Sequence, residues 1–223
     1  MIVALDGPAG AGKSTLAKRV SSELGFQLVE TGALYRAVGL LAREQGVSLD
    51  NAAGLEALAT DLPLRFVFEG GCNHVWLGDR DVTELLRTEQ AGADASVVSS
   101  VPEVRAALLS LQRELAAASD SVLEGRDIGT VVCPSAEVKF YITASPEMRA
   151  TRRVAELLSK SVVADYEQVL SDIIERDERD MNREIAPLRP ADDAIYLDTT
   201  ERPIEDVFAL VRDEIRRVRN EQR

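Results

Sequence analysis

Short apolar runs alternate with longer amphipathic stretches along most of the chain. Residues 2–6 (IVALD), 26–29 (FQLV) and 138–144 (VKFYITA) are short and almost entirely apolar. Such runs are typical of strands with both faces covered, as in parallel sheets. The alternation predicts an α/β fold whose parallel sheet is covered by helices on both faces. Ligands in such folds bind at the carboxyl ends of the strands.

Helix signals fall between these runs. Gly25 ends the helix that begins at Thr15, and Pro102 lies in the first turn of a long helix over 101–118. Ser145 and Pro146 form a helix start. Further elements are predicted as follows: helices over 30–46, 51–60, 173–184 and 203–220, and strands in 121–127 and 194–200.

One segment breaks the strand–helix rhythm. Residues 64–71 (LRFVFEGG) and 74–78 (HVWLG) alternate in polarity, and the tetrapeptide Gly-Gly-Cys-Asn separates them. This pattern predicts a β-hairpin. We therefore expect 63–85 to be an excursion from the main sheet.

Charge and composition narrow the range of partners. The 223 residues carry a formal net charge of -12, which repels nucleic acid and anionic membranes. No apolar run approaches the roughly 20 residues needed to span a bilayer, and the N-terminal apolar stretch is too short for a signal peptide. Cys72 and Cys133 lack metal-type spacing, and His74 reads as structural or exposed. We expect a cytoplasmic protein with no nucleic-acid or membrane partner.

The segment GPAGAGKS, from Gly7 to Ser14, matches the pattern G-x-x-x-x-G-K-[ST] between a predicted strand and a predicted helix. Backbone N–H groups of such a loop bind phosphate at a helix N-terminus. Lys13 is expected to reach the β- and γ-phosphates, and the Ser14 hydroxyl to contact Mg²⁺. The chain is therefore predicted to bind a nucleoside triphosphate.

The segment IIERDERDMNRE (173–184) contains three arginines, Arg176, Arg179 and Arg183, at spacings that put them on one face of a helix. Two interpretations remain open. The i,i+4 pairs Asp172–Arg176, Glu175–Arg179 and Arg176–Asp180 are typical of a salt-bridged surface. The same stripe would also hold an anion.

Other arginines of the chain favour the interpretation that the stripe binds an anion. Several follow predicted strands or lie on the helix after the excursion, and each has a surface alternative: Arg36, Arg105, Arg126, Arg149, Arg152 and Arg153. Phosphoryl transfer between two polyanions needs many cations, and arginine binds phosphate in a bidentate manner. No Asn-Lys-x-Asp stretch for reading guanine is present. The pattern favours a kinase of a small anionic acceptor over a nucleotide-dependent switch.

Four segments together resemble the bacterial cytidylate kinase family. They are GPAGAGKST, ETGALYR (30–36), EGRDIGTVV (124–132) and RDERDMNREIAPL (176–188). The resemblance covers about residues 2 to 215, and the excursion at 63–85 resembles the extra β segment of that family. It implies transfer of the γ-phosphoryl group of ATP, with Mg²⁺, to CMP or dCMP by a monomer.

The resemblance also implies a division of the chain and a role for each motif residue. A P-loop kinase core (1–30, 97–148 and 186–223) would carry a monophosphate-binding lobe (31–96) and a helical lid (149–185). ATP would contact the P-loop and the start of the lid: Gly7, Pro8, Ala9, Gly10, Ala11, Gly12, Lys13, Ser14, Thr15, Arg149 and Arg153. The monophosphate would contact Thr31, Arg36, Ser96, Arg105, Arg126, Asp127, Arg176, Asp180 and Arg183.

Within these sets the resemblance places Ser96 and Arg105 at the cytosine and Arg126 at the α-phosphate. Asp127 would face the base, where a carboxylate accepts from the cytosine N4 amino group. Asp180 would lie at the ribose. Lys13, Arg126, Arg176 and Arg183 would be catalytic.

Two positions depart from the family pattern. Glu30 stands where Asp is expected, and Cys133 where a bulky apolar residue is expected. The first leaves the role of position 30 open, and the second is a matter of packing. Two rival functions also remain: a kinase of UMP or of a non-nucleotide such as shikimate, and a nucleotide-dependent switch or binding module.

Overall fold

The computed structural model describes residues 1–69 and 72–221. Five parallel strands form the central sheet in the order β2-β6-β1-β7-β8, and a three-stranded antiparallel sheet, β3-β4-β5, lies beside it. The strands are β1 (Ile2–Asp6), β2 (Gln27–Glu30), β3 (Leu64–Glu69), β4 (Cys72–Leu77), β5 (Arg80–Asp81), β6 (Ser121–Gly125), β7 (Val138–Thr143) and β8 (Ile195–Asp198). The predicted α/β class and parallel sheet are confirmed.

Helices follow most strands, as the alternating pattern predicts. They are α1 (Lys13–Leu24), α2 (Thr31–Gln45), α3 (Ala52–Ala59), α4 (Thr83–Leu86), α5 (Glu89–Val98), α6 (Pro102–Ala117), α7 (Pro146–Ser159), α8 (Tyr166–Asn182) and α9 (Ile204–Glu221). A π-helical turn, Ile128–Val132, follows β6. Ser145 caps α7 by accepting from the Met148 N–H, as predicted from the sequence.

Apolar side chains cover both faces of the sheet. On one face, β1 and β7 pack against α1 and α9 through a fully buried set that includes Leu16, Val20, Phe140 and Phe208. On the other face, Val29 and Leu123 meet the π-helical turn and α6, and Cys133 is buried in this cluster. A third cluster joins α2, α3 and α6 to the small sheet. The parallel strands are therefore buried, which explains their uninterrupted apolar runs.

The excursion differs from its prediction in one detail. Cys72 and Asn73, expected in the hairpin turn, belong to β4, whereas Gly70 and Gly71 lie outside the described residues. Asn73 is fully buried because its side-chain amide donates to the Glu30 carboxylate at 3.0 Å. The longer side chain at position 30 thus ties the small sheet to the end of β2.

Helix α5 has no counterpart among the predicted elements. Its sequence, EQAGADASVV, is rich in small and polar residues and lacks an apolar stripe. It forms because Thr88 caps it and because it packs along α2, where Asp94 pairs with Arg43. This packing places Gly92 of α5 beside the guanidinium groups of Arg36 and Arg176.

Candidate active site

The loop between β1 and α1 has the backbone that a phosphate site requires. Gly7, Gly10 and Gly12 have φ values of 144°, 76° and 96°, which side chains rarely adopt. A Cβ at Gly7 would lie 1.9 Å from the Ile142 carbonyl oxygen, so only glycine fits there. The loop therefore turns tightly over the sheet and leads into the N-terminus of α1, where anions are favoured.

Lys13 is the first residue of α1 and is buried beneath this loop. Its ammonium group donates to the Pro8 carbonyl at 2.7 Å. Burial, and then the charge of Arg126, lower the pKa of Lys13 to about 7. A phosphate oxygen at this point would restore a charged lysine, because a nearby negative charge favours the ammonium form.

The Ser14 hydroxyl meets the carboxylate of Glu124, donating at 2.7 to 2.8 Å. These oxygen donors suit Mg²⁺, which binds few protein groups and completes its shell with phosphate and water oxygens. No group of three or more His, Cys, Asp or Glu residues that could hold a metal occurs within 1–69 and 72–221. The donor set therefore fits an ion brought in with a nucleotide.

Three guanidinium groups gather where β6, α2 and α8 meet. Arg36 and Arg176 approach each other across Gly92, since a Cβ on that glycine would lie 3.7 Å from Arg36 Nη2 and 3.9 Å from Arg176 Nη1. Burial, and then the charge of Arg126, lower the pKa of Arg176 to about 10. The Nε of Arg176 is buried without a hydrogen-bond partner among the described residues. Half-buried like charges with a free donor have the chemistry to bind an anion.

A second cluster of polar side chains surrounds Asp127. Arg105 donates to Asp127 and to the Ser99 carbonyl, and Arg183 donates to the other Asp127 oxygen at 3.3 Å. The buried Ser96 hydroxyl has no partner within the described part of the chain. A cavity of about 500 Å³ between α5 and α8 is bordered by Ser96, Asp180 and Arg183. Glu175, Glu178 and Arg179 of α8 border the same cavity, which is therefore lined by hydrogen-bond donors and by three carboxylates.

The comparison with protein families decides between the alternatives. The family model described as "Cytidylate kinase" matches residues 3–217. The chain belongs to the cytidylate kinase family. The predicted enzyme class, a phosphotransferase, and the resemblance of the four motifs are confirmed.

Similar proteins agree with the cytidylate kinase assignment. A cytidylate kinase of Carboxydothermus hydrogenoformans is 47% identical over 209 residues, 94% of both chains. One from Vibrio cholerae is 47% identical over 206 residues and covers 92% of each. Among solved structures, an uncharacterized protein from Eubacterium ventriosum has a TM-score of 0.53 at 13% identity, with 96% of this chain and 97% of that chain covered. The last likeness concerns the fold alone.

In this member of the family, helix α8 brings its acidic residues to arginines of the site. Asp180 accepts from Arg126 Nε at 2.8 Å, and Asp177 accepts from Arg149 Nη2 at 2.6 Å. Burial opposes ionisation of Asp180, but the charge of Arg126 holds the pKa of that carboxyl below its ordinary value. Internal carboxylates therefore occupy arginines that the sequence assigns to ligands.

The predicted stripe of three arginines is wrong for Arg179. That side chain is exposed and lies 3.7 Å from Glu175, one of the surface pairs considered above. Arg176 points inward, and Arg183 reaches the interior because α8 ends at Asn182 and the chain turns extended at position 183. Asp172 accepts from Gln168 and Asp180 from Arg126, so both carboxylates have partners other than Arg176.

Other residues predicted to bind nucleotides have internal partners. Thr31 donates to the Glu124 carbonyl at 2.7 Å, and Arg36 donates to the Leu86 carbonyl. Arg149 is buried and donates to three groups, among them the Ala9 carbonyl of the P-loop at 3.2 Å. Arg153 pairs with Glu156 at 2.7 Å and with Glu89 of α5 at 3.2 Å. Thr15 is exposed, and the Ala11 carbonyl accepts from Thr199.

Sequence reasoning did not assign two acidic residues of the site. Glu124 precedes Gly125 in the EGRD segment and meets Ser14, as described. Asp6 ends β1 and is buried against the turn after β6. Both stand at carboxyl ends of adjacent strands, which was the available signal. No helix in the described part of the chain is long and apolar enough to cross a membrane.

Proposed function

We propose that this member of the cytidylate kinase family transfers the γ-phosphoryl group of ATP to CMP or dCMP, giving ADP and CDP or dCDP. The observation that carries the proposal is the half-buried cluster of Arg36, Arg126 and Arg176 beside a P-loop, in a chain of this family. Such a cluster is costly unless an anion completes it. A nucleoside monophosphate supplies that anion.

Each substrate has its own part of the site. The proposal assigns ATP to residues 7–15, with Lys13 at the β- and γ-phosphates and with Arg149 and Arg153 at the start of the lid. It assigns the acceptor phosphate to Thr31, Arg36, Arg126 and Arg176. It assigns the ribose and base of the acceptor to Ser96, Arg105, Asp127, Asp180 and Arg183. The Asp127 carboxylate accepts from the cytosine amino group, which uracil lacks.

The reaction is an in-line displacement. An oxygen of the acceptor phosphate attacks the γ-phosphorus, and the bond to the β–γ bridging oxygen breaks as ADP leaves. That oxygen is already anionic, so the step needs no general base. Lys13 and the arginines stabilise the charge of the transferring group. Mg²⁺, held through Ser14 with Glu124 behind it, would neutralise the β- and γ-phosphate charge when bound.

The proposal includes a division of labour within a single chain. The core comprises residues 1–30, 97–148 and 186–223, the monophosphate lobe 31–96, and the lid 149–185. Closure of the lid would exclude water and suppress hydrolysis of ATP. We propose a cytoplasmic monomer, and light scattering of the purified protein would test its mass in solution.

An acceptor panel tests the function. ADP production from ATP and Mg²⁺ is measured with CMP, dCMP, UMP, AMP, GMP or shikimate, one at a time. We expect strong stimulation by CMP and dCMP and weaker stimulation by UMP. Stimulation by a different acceptor would contradict the cytosine assignment. Nucleotide binding without stimulation by any acceptor would indicate a switch or binding module.

A further inference from the structure

Asp6 stands at the junction of the two substrate sites. It is the last residue of β1, directly before the P-loop, and only 3% of its surface is exposed. One carboxylate oxygen accepts from the Ile128 N–H and the other from the Gly129 N–H, both at 2.7 Å. Asp6 thus links the strand that carries the P-loop to the turn that follows β6.

Arg126 and Asp127 lead from β6 into that turn. Asp127 is the residue before the π-helical turn, and Ile128 and Gly129 are its first two members. The first N–H groups of a helical turn lack partners within it. Asp6 supplies two acceptors at this point, so the backbone direction at Arg126 and Asp127 depends on its carboxylate.

The chemistry of the contact requires a carboxylate. Two oxygens can accept from two neighbouring N–H groups at once, whereas an amide of the same shape offers one acceptor and turns an NH₂ group toward the second N–H. Burial of this charge is unfavourable, and burial raises the pKa of Asp6 to about 6. A buried charge kept at such a cost points to a positional role.

We infer that Asp6 is a positioning residue for the acceptor site: from the P-loop strand it holds the turn that aims Arg126 at the acceptor phosphate and Asp127 at the base. The inference rests on the proposed function. It predicts that loss of the two hydrogen bonds weakens binding of the acceptor more than binding of ATP, although Asp6 adjoins the P-loop in sequence.

The test is Asp6→Asn, assayed with saturating ATP and varied CMP or UMP, and then with varied ATP. We expect the KM for CMP to rise by at least about tenfold, since small misplacements of a binding group have large effects. The KM for ATP should change by less than about twofold, and the preference for CMP over UMP should narrow. Equal changes in both KM values, or an unchanged CMP preference, would overturn the inference.

Two further variants serve as a control and as a second test of the inference. Asp94→Asn removes an equally buried carboxylate that pairs with Arg43 and Gln90 where α5 packs on α2, and it should leave the CMP preference unchanged. Gly129→Ala places a Cβ 3.4 Å from Asp6 Oδ2 and 3.0 Å from Lys139 Cδ, and should reproduce the Asp6→Asn pattern more mildly. If Asp6→Asn does not fold, Gly129→Ala decides.

Failure of the inference is distinguishable from failure of the function. A wild-type protein without CMP-stimulated ADP production would refute the proposed function whatever the variants do. A wild-type protein that prefers CMP, with Asp6 and Gly129 variants that keep this preference and the KM for CMP, would refute the inference alone.

Discussion

At the scale of single residues, the site contains cations whose burial is unfavourable for folding. Arg176 is the clearest case, because its pKa is lowered to about 10 by burial and by Arg126, and its Nε has no partner among the described residues. Burial disfavours the charged form of Arg176 in the empty protein, and a bound anion would favour it. Function and stability therefore make opposite demands at this position.

Replacing Arg176 with an apolar residue of similar volume tests this opposition. We expect Arg176→Met to lower kcat/KM for CMP by about 10²–10³-fold, through loss of a charge-assisted contact in a dry site. The free energy of unfolding without ligand should rise by about 1–3 kcal/mol, because a disfavoured charge is removed. Steady-state kinetics and urea unfolding measure the two effects.

The control is Arg217→Met on α9. Arg217 is exposed and paired with Glu214 and Glu221, so its loss should change kcat/KM by less than about twofold. If Arg176→Met behaved like this control, Arg176 would have no part in the site.

Asp6 gives a second prediction at this scale, which concerns how the free energy of unfolding depends on pH. Its folded pKa of about 6 lies above its ordinary value of 3.8, so between these values the folded state holds its proton more tightly. The stabilising contribution is complete below pH 3.8 and is lost as the pH rises through about 6. Relative to Asp6→Asn, the wild type should therefore gain about 1 kcal/mol between pH 7.5 and pH 5.

Urea unfolding of both proteins at the two pH values measures this gain. The difference between the two proteins cancels the titration of carboxylates remote from Asp6, whereas Lys13, whose pKa of about 7 the Asp6 charge raises, contributes in the upper part of this range. A constant difference would show that Asp6 does not change its protonation in this range.

At the scale of elements, the contact between Glu30 and Asn73 joins the small sheet to the core. The Glu30 carboxylate accepts from the Asn73 amide, whose other atom, Oδ1, has no partner among the described residues. Glu30→Asp would shorten the side chain by one methylene and leave the buried amide without this bond. We expect a loss of about 1–3 kcal/mol in the free energy of unfolding.

Glu69→Asp is the control for this change, since Glu69 lies exposed at the end of β3 in the same sheet. Its effect should stay within about 0.5 kcal/mol. Thermal unfolding of both variants measures the comparison. Equal stabilities would mean that the longer side chain at position 30 has no structural role.

The elements also show what the sequence could and could not predict. Strands β1, β2 and β7 were predictable because buried parallel strands are short apolar runs, and α7 because Ser145 and Pro146 mark its start. Helix α5 was not, because its small residues carry no apolar periodicity and its position depends on contacts with α2. The turn at Arg183 likewise depends on where α8 ends.

The site residues also divide into those that local sequence patterns predict and those that depend on tertiary contacts. Lys13, Arg126 and Arg176 were identified from spacing within local motifs, and the structure brings them to one place. The contacts of the nearby carboxylates were not identified, because each joins positions far apart in the chain: Glu124 meets Ser14, Asp6 meets the Ile128 and Gly129 N–H groups, and Asp180 meets Arg126. Local patterns name the cations, whereas only the fold shows which carboxylates face them.

At the scale of the whole molecule, the chain passes repeatedly between its apolar clusters. Phe208 lies in the cluster under the P-loop and Leu108 in the cluster beside the small sheet. Phe66 packs against the cluster beside the small sheet and also against the cluster of Val29 and Leu123, on the face of the central sheet opposite Phe208. We therefore expect the clusters to unfold together.

Mild substitutions in each cluster test this cooperativity. Phe208→Leu and Leu108→Val should each lower the free energy of unfolding by about 1–2 kcal/mol and shift one shared transition by about 2–8 °C. Differential scanning calorimetry would show it. Two separate transitions, each moved by one of the variants, would mean that the lobe and the core fold independently.

The pairing of Asp180 with Arg126 has a consequence for the selection of ligands. If the acceptor phosphate binds at Arg126 as proposed, its binding would exchange one anion for another at a position that Asp180 already neutralises. A carboxylate tethered on the same chain has a high effective concentration, so weakly charged or dilute anions would not displace it. A dianionic phosphate that also engages Arg36 and Arg176 would. The helix would therefore set a threshold of charge and reach below which salts of the medium leave the empty site undisturbed.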